Sequence, residues 1–136
     1  MSRPRRIAIR TELDARRAVL EATQYALKLG FGDAPSRMIA TAISELARNI
    51  LKYARSGEIR LRRVNGQVKG RGTRGVEVEA VDQGPGIADT EAAMRDHFSS
   101  GGTLGLGLPG VKRMMDEFSL ESAPGAGTRV TAVKWL

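Results

Sequence analysis

Hydrophobic and polar residues alternate or recur periodically along most of the chain, and these patterns predict its secondary structure. Residues 6–10 alternate between polar and apolar side chains, which predicts a half-buried strand. We expect Asp14 to cap a following helix, whose apolar residues recur at helical spacing as far as Gly30. Pro35 is suited to a first helical turn and predicts a second helix that continues to about Ala54.

The second half of the chain contains further strand and helix patterns. The predicted elements are strands at about 58–64, 75–82, 118–122 and 128–135, a short helical stretch at 91–96, and a helix at about 108–117. The basic, glycine-rich residues 65–74 are predicted to form a turn, and residues 83–104 are loop-like outside the short helix. The order β-α-α-β-β-α-α-β-β predicts one α/β domain over residues 1–136, a two-layer sandwich with helices on one face of a mixed sheet.

Composition excludes several classes of protein. The 136 residues include no cysteine, which rules out disulfides and thiol catalysis, and one histidine, His97, which argues against a histidine-based metal site. No apolar run has the length of a membrane helix, and no signal-peptide pattern opens the sequence. We therefore expect a cytoplasmic protein without a membrane partner.

The formal net charge of +7 suggests a polyanionic partner at first. The excess is confined to residues 1–10, with four arginines and no acid, and residues 55–74, with seven basic residues and one acid. Arginines of the strand at 58–64 and glutamates of the strand at 75–82 predict a ladder of ion pairs. Six aromatic residues make a poor base-stacking platform. We expect no nucleic-acid partner, and interpret the basic stretches as docking an acidic protein; a basic nucleic-acid-binding module stays open as an alternative.

The predicted second helix places two polar residues beside an apolar stripe. The stripe consists of Ile39, Ala42, Ile43, Leu46, Ile50 and Tyr53. Glu45 and Asn49 are four residues apart at its border, so their side chains are neighbours that could line a pocket. An amide oxygen suits Mg²⁺, and a carboxylate can accept a proton from a nucleophile. An ordinary amphipathic helix with polar flanks is the alternative.

One glycine-rich segment follows a predicted strand, and a second precedes a predicted helix. In the segment 82–87, Asp82 could accept a hydrogen bond from an exocyclic amine, which adenine has and guanine lacks at that position. Gly84 and Gly86 would let the backbone approach a ligand, although a simple turn has the same composition. The segment 101–110 leads into a helix N-terminus, where free N–H groups favour phosphate, although a flexible loop is equally compatible.

Two well-known phosphate motifs do not account for the second glycine-rich segment. Gly105, Gly107 and Gly110 match the dinucleotide-binding spacing, but no apolar strand precedes them and too little chain remains for that fold. The Lys-Ser/Thr ending of a Walker P-loop is missing.

The three segments together resemble the GHKL ATPase superfamily, which holds ATP in a Bergerat fold. Residues 43–50 are similar to its N-box, residues 82–86 to its first glycine box and residues 105–109 to its second. Residues 42–50, 82–87 and 108–120 resemble more closely the RsbT-like serine/threonine kinases, the switch proteins of the bacterial stressosome pathway. Leu106 departs from this pattern, because a smaller residue is expected in the lid.

The resemblance implies a role for each motif residue. Asn49 would bind Mg²⁺ at the ATP phosphates, and Glu45 would be the catalytic base. Asp82 would recognise the adenine amino group, with Thr128 nearby through water. The four glycines of the two boxes would contact ATP: Gly84, Gly86, Gly105 and Gly107.

The resemblance also implies partners. The kinases phosphorylate STAS-domain proteins of the stressosome and are then released to activate a PP2C-type phosphatase, which leads to activation of an alternative sigma factor. An anti-sigma factor kinase that binds a sigma factor directly is the alternative within the superfamily. A two-component histidine kinase is disfavoured, because no phosphoacceptor helix pair is present and His97 falls in the lid region.

Overall fold

A computed structural model describes residues 3–94 and 107–136 of the chain. Its elements follow the predicted order: β1 (Arg5–Ile9), α1 (Glu12–Leu29), α2 (Asp33–Tyr53), β2 (Gly57–Val68), β3 (Arg71–Asp82), α3 (Thr90–Ala93), α4 (Gly107–Met114), β4 (Glu117–Ser122) and β5 (Thr128–Trp135). Among the described residues, no helix is both long enough and apolar enough to cross a membrane.

The start of α1 corrects the predicted cap. Thr11, with extended backbone, is the N-cap, and its Oγ1 accepts a hydrogen bond from the Asp14 N–H at 3.1 Å. Asp14 lies one turn inside the helix, and its carboxylate accepts hydrogen bonds from the N–H groups of Thr11 and Arg10. The two residues form a reciprocal capping box, so the predicted capping residue is the second member of the motif.

The five strands form one sheet in the order β1-β2-β3-β5-β4. The predicted α/β class is confirmed, but the expectation of a mixed sheet was wrong, since every strand pair is antiparallel. β3 and β4 are joined through two helices, and β4 pairs with β5 at the edge of the sheet rather than with β3. Strand directions depend on these long-range neighbours, which a local pattern does not contain.

The basic segment predicted as a turn is mostly strand. β2 extends to Val68 and β3 begins at Arg71, so only Lys69 and Gly70 connect them. Both connecting residues have positive φ, 52° and 78°, the backbone of a tight two-residue hairpin turn. The sequence predicts a turn here because glycines and charged residues hide the alternation of polar and apolar side chains that is typical of a strand.

The helices cover one face of the sheet and form the core with it. The buried sheet residues of this core are Ile7, Ile9, Ile59, Leu61, Val76, Val78, Ala80, Val130 and Ala132. On α2 the predicted apolar stripe is buried except at its last residue, Tyr53, which is 48% exposed. The uncovered face carries the predicted ladder, in which Arg60 contacts Glu79 at 2.8 Å and Arg62 contacts Glu77 at 3.7 Å. These ion pairs account for part of the basic charge of the hairpin.

Candidate functional site

A cavity of about 550 Å³ lies beside the C-terminal half of α2 and the adjoining ends of β3 and β5. Its walls are mostly apolar and include Leu46 and Ile50 from α2, Ala80 from β3, and Leu108 from α4. A cavity of this size with a few polar groups is typical of a small-molecule site. Three predicted site residues supply such groups: Asn49, Asp82 and Thr128.

Asp82 and Thr128 are directly opposite each other in the pairing of β3 with β5. Asp82 is the last residue of β3 and Thr128 the first of β5, so both side chains line the same end of the cavity. The Asp82 Oδ1 accepts a hydrogen bond from the Gly84 N–H at 2.9 Å. That bond holds the carboxylate and leaves Oδ2 for a ligand.

The segment that follows Asp82 passes close to two other parts of the backbone. A Cβ on Gly84 would lie 2.7 Å from the Ala54 Cβ at the end of α2, so only glycine fits here without displacement. Gly86 has φ of +79°, and a Cβ there would lie 1.9 Å from the Ala123 carbonyl oxygen. Gly86 lines the cavity, whereas Gly84 packs beneath the loop and does not.

Ser122, which the sequence reasoning missed, connects three segments around this end of the cavity. Its hydroxyl accepts a hydrogen bond from the Ile87 N–H at 2.7 Å and donates one to the Gly127 carbonyl at 2.8 Å. The Thr128 Oγ1 lies 2.9 Å from the same hydroxyl. A serine at the end of a strand has no local signal of this role, because Ile87 is 35 residues away in the chain, although Gly127 and Thr128 lie in the same hairpin as Ser122.

Glu45 and Asn49 occupy successive turns of α2, with different surroundings. Asn49 is half-buried and lines the cavity. Glu45 is only 8% exposed and does not line it. Its Oε2 accepts a hydrogen bond from the N–H of Gly107, the first residue of α4, at 3.2 Å, and its Oε1 lies 3.6 Å from the Arg48 guanidinium. The carboxylate therefore interacts with the positive end of the α4 dipole.

Some of the remaining predicted site residues and elements lie within the described residues, and others lie outside them. Gly107 starts α4 with φ of +63° and meets Glu45 rather than the cavity. Gly105 and His97 lie outside the described residues, as do the lid and part of the predicted helix at 91–96. The predicted helix at 108–117 is α4, which ends earlier, at Met114, because β4 begins at Glu117.

The arrangement suits a planar, partly apolar ligand that carries hydrogen-bond donors. Apolar walls can bury an aromatic ring, and the carboxylate of Asp82 can accept from an amino group on its edge. Among residues 3–94 and 107–136, no group of three or more acidic or histidine side chains could hold a metal ion. An amide oxygen such as that of Asn49 suits Mg²⁺, which takes few protein ligands when substrate phosphates and water supply the others.

Comparison with sequence families agrees with this geometry. Residues 34–136 match the profile of the family described as histidine kinase-, DNA gyrase B-, and HSP90-like ATPase. The chain is 51% identical over 130 residues to the serine/threonine-protein kinase RsbT of Bacillus subtilis (strain 168), covering 96% of this chain and 95% of that protein. It is 31% identical over 101 residues to the anti-sigma F factor of Thermoanaerobacter sp. (strain X514), covering 72% and 68% respectively. The resemblance inferred from the motifs is confirmed.

Solved structures show the same fold at low sequence identity. The RsbU and RsbW domains of Rv1364c from Mycobacterium tuberculosis superpose with a TM-score of 0.63 at 17% identity, covering 98% of this chain and 32% of that one. The mycobacterial sensor histidine kinase MprB superposes with a TM-score of 0.55 at 20% identity, covering 98% and 97%. Identities this low show the fold alone.

Proposed function

This chain belongs to the histidine kinase-, DNA gyrase B- and HSP90-like ATPases, and from that membership we propose that it is a protein serine/threonine kinase that uses ATP. The proposal treats residues 1–136 as one ATPase domain whose substrate is a STAS-domain protein. The observation that carries it is the pairing of Asp82 with Thr128 at the end of an apolar cavity. The 51% identity to a protein named as a serine/threonine kinase supports the choice of activity.

The adenine ring is proposed to enter the cavity with its amino group toward Asp82. The carboxylate accepts a hydrogen bond from that amine, while Thr128 lies opposite Asp82 at the same edge. Gly86 and Ile87 line this end and bring their backbone close to the ring. Guanine has a carbonyl oxygen where adenine has its amine. The Asp82 carboxylate and this oxygen would then be two acceptors that repel each other, and neither would have a hydrogen-bond donor.

The phosphates are proposed to extend from the cavity toward α4. The backbone N–H groups of Gly105 and of Gly107, the first residue of α4, would contact them, since a helix N-terminus favours negative charge. The amide oxygen of Asn49 is the protein group proposed to hold Mg²⁺, which neutralises phosphate charge when bound. Asn49 lines the cavity one helical turn beyond Glu45, between the adenine end and α4.

Glu45 is proposed to be the catalytic base. It would accept the proton of the substrate serine or threonine hydroxyl as that oxygen attacks the γ-phosphorus in line, and ADP would leave with the bridging oxygen. Its Oε2 now accepts a hydrogen bond from Gly107, so this bond has to open before that oxygen can contact a substrate hydroxyl. Positioning and charge stabilisation supply most of the rate in such a transfer.

The partners are proposed from the resemblance to the switch kinases. The chain would phosphorylate a serine or threonine on a STAS-domain protein of a stressosome, and would then be released to bind and activate a PP2C-type phosphatase. This exchange would couple kinase activity to sigma-factor regulation. The similarity to RsbT over nearly the full length of both proteins supports a serine/threonine kinase.

The deciding experiment is a transfer assay with purified chain, γ-labelled ATP, Mg²⁺ and a STAS-domain protein. Label should appear on the STAS protein with the native chain and be lost with Glu45→Gln. Glu12→Gln, which changes an exposed glutamate on α1, is the matched control and should transfer normally. If label transfer is missing, or does not depend on Glu45, the kinase proposal fails while a binding role remains open.

A second candidate is an anti-sigma factor that binds a sigma factor directly and phosphorylates its antagonist. The 31% identity to an anti-sigma F factor favours it, although that match covers 72% of the chain rather than 96%. Co-purification of a sigma factor with the native chain, stable to gel filtration, would support this candidate. Co-purification of a PP2C-type phosphatase instead would support the switch kinase.

A further inference from the structure

Three large leucines on α1 lie on the surface, at intervals of seven residues. Leu13, Leu20 and Leu27 are 74%, 59% and 48% exposed, although leucine is among the residues most often buried. At about 100° per residue they fall on one stripe. This stripe lies opposite the core face of the helix, where Ala18, Ala22 and Ala26 are almost completely buried.

The folding of the described residues does not use this leucine stripe. A surface helix normally carries polar residues opposite its core face, and contiguous exposed apolar residues mark interaction sites. The alanine face is the side that packs against the rest of the domain. The leucines repeat every seven residues, as one of the two seam positions of a coiled coil does, and Arg17 and Gln24 occupy the other position. A narrow apolar stripe of this kind fits best against another helix, whose side chains can pack between the leucines.

The charges beside the leucine stripe are basic. Arg16, Arg17 and Lys28 are all exposed there. Among the acids of α1, Asp14 belongs to the capping box and contacts Arg17 at 3.5 Å, and Glu21 contacts Arg5. Glu12 is exposed in the first turn, so the basic excess beside the stripe comes mainly from Arg16 and Lys28. A second copy of the chain would bring the same cations to the interface, whereas a helix with acidic residues beside its own apolar seam would neutralise them.

We propose that α1 is a docking surface for an amphipathic helix of another protein, with acidic residues beside its leucine seam. The surface lies outside the nucleotide cavity, so this inference goes beyond the proposed kinase activity and does not depend on it. Rim charges of this kind govern the choice of partner and the salt dependence of binding.

The test uses two synthetic helical peptides with the same leucine heptads, one with glutamate and one with lysine at the flanking positions. Anisotropy should show the acidic peptide binding the native chain at least tenfold more tightly, with the difference shrinking as salt is raised. Leu20→Ser should weaken acidic-peptide binding at least tenfold. Val68→Ser, which removes an exposed apolar residue from the hairpin, is the matched control and should bind normally.

Three outcomes overturn the docking proposal. The first is that the two peptides bind with equal affinity, or that neither binds. The second is that Leu20→Ser binds the acidic peptide normally. The third is that sedimentation shows a dimer of the native chain and that Leu20→Ser dissociates it. The last result would assign the leucine stripe to a second copy of this chain. Unchanged thermal unfolding of Leu20→Ser confirms that any lost binding does not come from misfolding.

A separate observation concerns the single hydrogen of the Ser122 hydroxyl. Ser122 donates it to the Gly127 carbonyl and accepts from the Ile87 N–H, so the 2.9 Å contact with Thr128 requires Thr128 to be the donor. The Thr128 Oγ1 then presents only lone pairs to the cavity. With the Asp82 carboxylate opposite, both side chains of this pair offer acceptors to the cavity.

We infer that Ser122 is a positioning residue that makes Thr128 an acceptor and thereby favours adenine over a purine carbonyl. This inference rests on the proposed function, since it assumes that adenine occupies the cavity. Ser122→Ala would free the Thr128 hydroxyl to donate to a carbonyl. The ratio of ITP to ATP dissociation constants should then fall about tenfold, the value of one hydrogen bond, while Ser122→Thr should keep the native ratio.

The two nucleotides separate a positioning role from a structural one. If Ser122→Ala only loosened the loop, both affinities would fall together and the ratio would stay constant, which would overturn the inference. Should that variant not fold, Thr128→Val replaces it, and an unchanged ratio there also counts against the inference. Failure of the native chain to bind ATP would remove the proposed function as well.

Discussion

The carboxylate of Glu45 on α2 accepts a hydrogen bond from the backbone N–H of Gly107, the first residue of α4, at 3.2 Å. The proposed base is thereby joined to the helix that follows the second glycine-rich segment. The N-terminus of α4 is also the proposed site for phosphate, so phosphate and the Glu45 carboxylate compete for the same positive helix end. Nucleotide binding is therefore expected to free Glu45 for the substrate hydroxyl.

Glu45→Gln should lower phosphoryl transfer by about 100-fold or more, the usual contribution of a general base. Glutamine keeps an oxygen that can accept from Gly107, so ATP affinity and stability should change little. Single-turnover transfer of label, alongside calorimetry of ATP binding, separates the two effects. Transfer at the native rate would rule out Glu45 as the base.

Asp82→Asn should weaken ATP binding by about 100-fold, because the amide no longer offers a charged acceptor to the adenine amine. An asparagine oxygen can still accept from the Gly84 N–H, so the loop should keep its shape. Titration calorimetry measures the affinity, and thermal unfolding serves as the control. Native affinity in a folded variant would contradict the adenine assignment.

Gly86→Ala should destabilise the domain far more than Gly125→Ala. Both glycines have positive φ, +79° and +77°, so each substitution carries about 1–2 kcal/mol of backbone strain. A Cβ on Gly86 would in addition lie 1.9 Å from the Ala123 oxygen, whereas nothing lies within 4 Å of one on Gly125. Urea unfolding of the two variants measures the difference, and equal losses would show that the contact with Ala123 is unimportant.

The capping box of α1 should make stability depend on pH in the acid range. The hydrogen bond from the Arg10 N–H, with smaller contributions from Thr11 and Arg17, lowers the pKa of Asp14. The stabilisation is therefore complete above the ordinary aspartate pKa of about 3.9 and is lost as pH falls through the lowered value. Asp14→Asn should be less stable than the native chain at pH 7, and the gap should close as pH falls through the lowered pKa of Asp14.

The control for the capping box is Glu12→Gln, an acid in the same helical turn whose carboxylate does not belong to the box. Chemical unfolding at a series of pH values should show a smaller and less pH-dependent loss for this control. A constant gap between Asp14→Asn and the native chain down to pH 2 would contradict the role given to the Asp14 charge.

Charge reversal at Arg71 and Arg74 should weaken binding of the STAS-domain substrate while ATP affinity stays native. Both arginines lie on the exposed hairpin segment beside its turn, outside the nucleotide cavity. Reversal at Arg3 should act in the same direction, whereas Arg5 contacts Glu21 and Arg6 lies 4.0 Å from Glu58. Surface plasmon resonance at two salt concentrations measures the effect, and native affinity for the substrate would refute docking through these basic segments.

Several features of this protein follow from local sequence patterns alone. Periodicity predicts the order of the nine elements, and the apolar stripe of α2 predicts which face is buried, because both depend on residues a few positions apart. The glycine-rich segment after Asp82 could also be predicted from the sequence, because glycine is required where two stretches of backbone lie very close together. These local signals were sufficient to identify the ATPase family.

Other features depend on contacts between distant parts of the chain. The antiparallel direction of every strand pair, the placement of Thr128 opposite Asp82, and the contact of Glu45 with Gly107 all join residues far apart in sequence. Ser122 is the sharpest case, because its hydrogen bond with Ile87 forms only after the β4–β5 hairpin and the glycine-rich loop have packed together. Sequence periodicity records which side of an element is apolar, whereas the packing of elements against one another determines which polar groups meet.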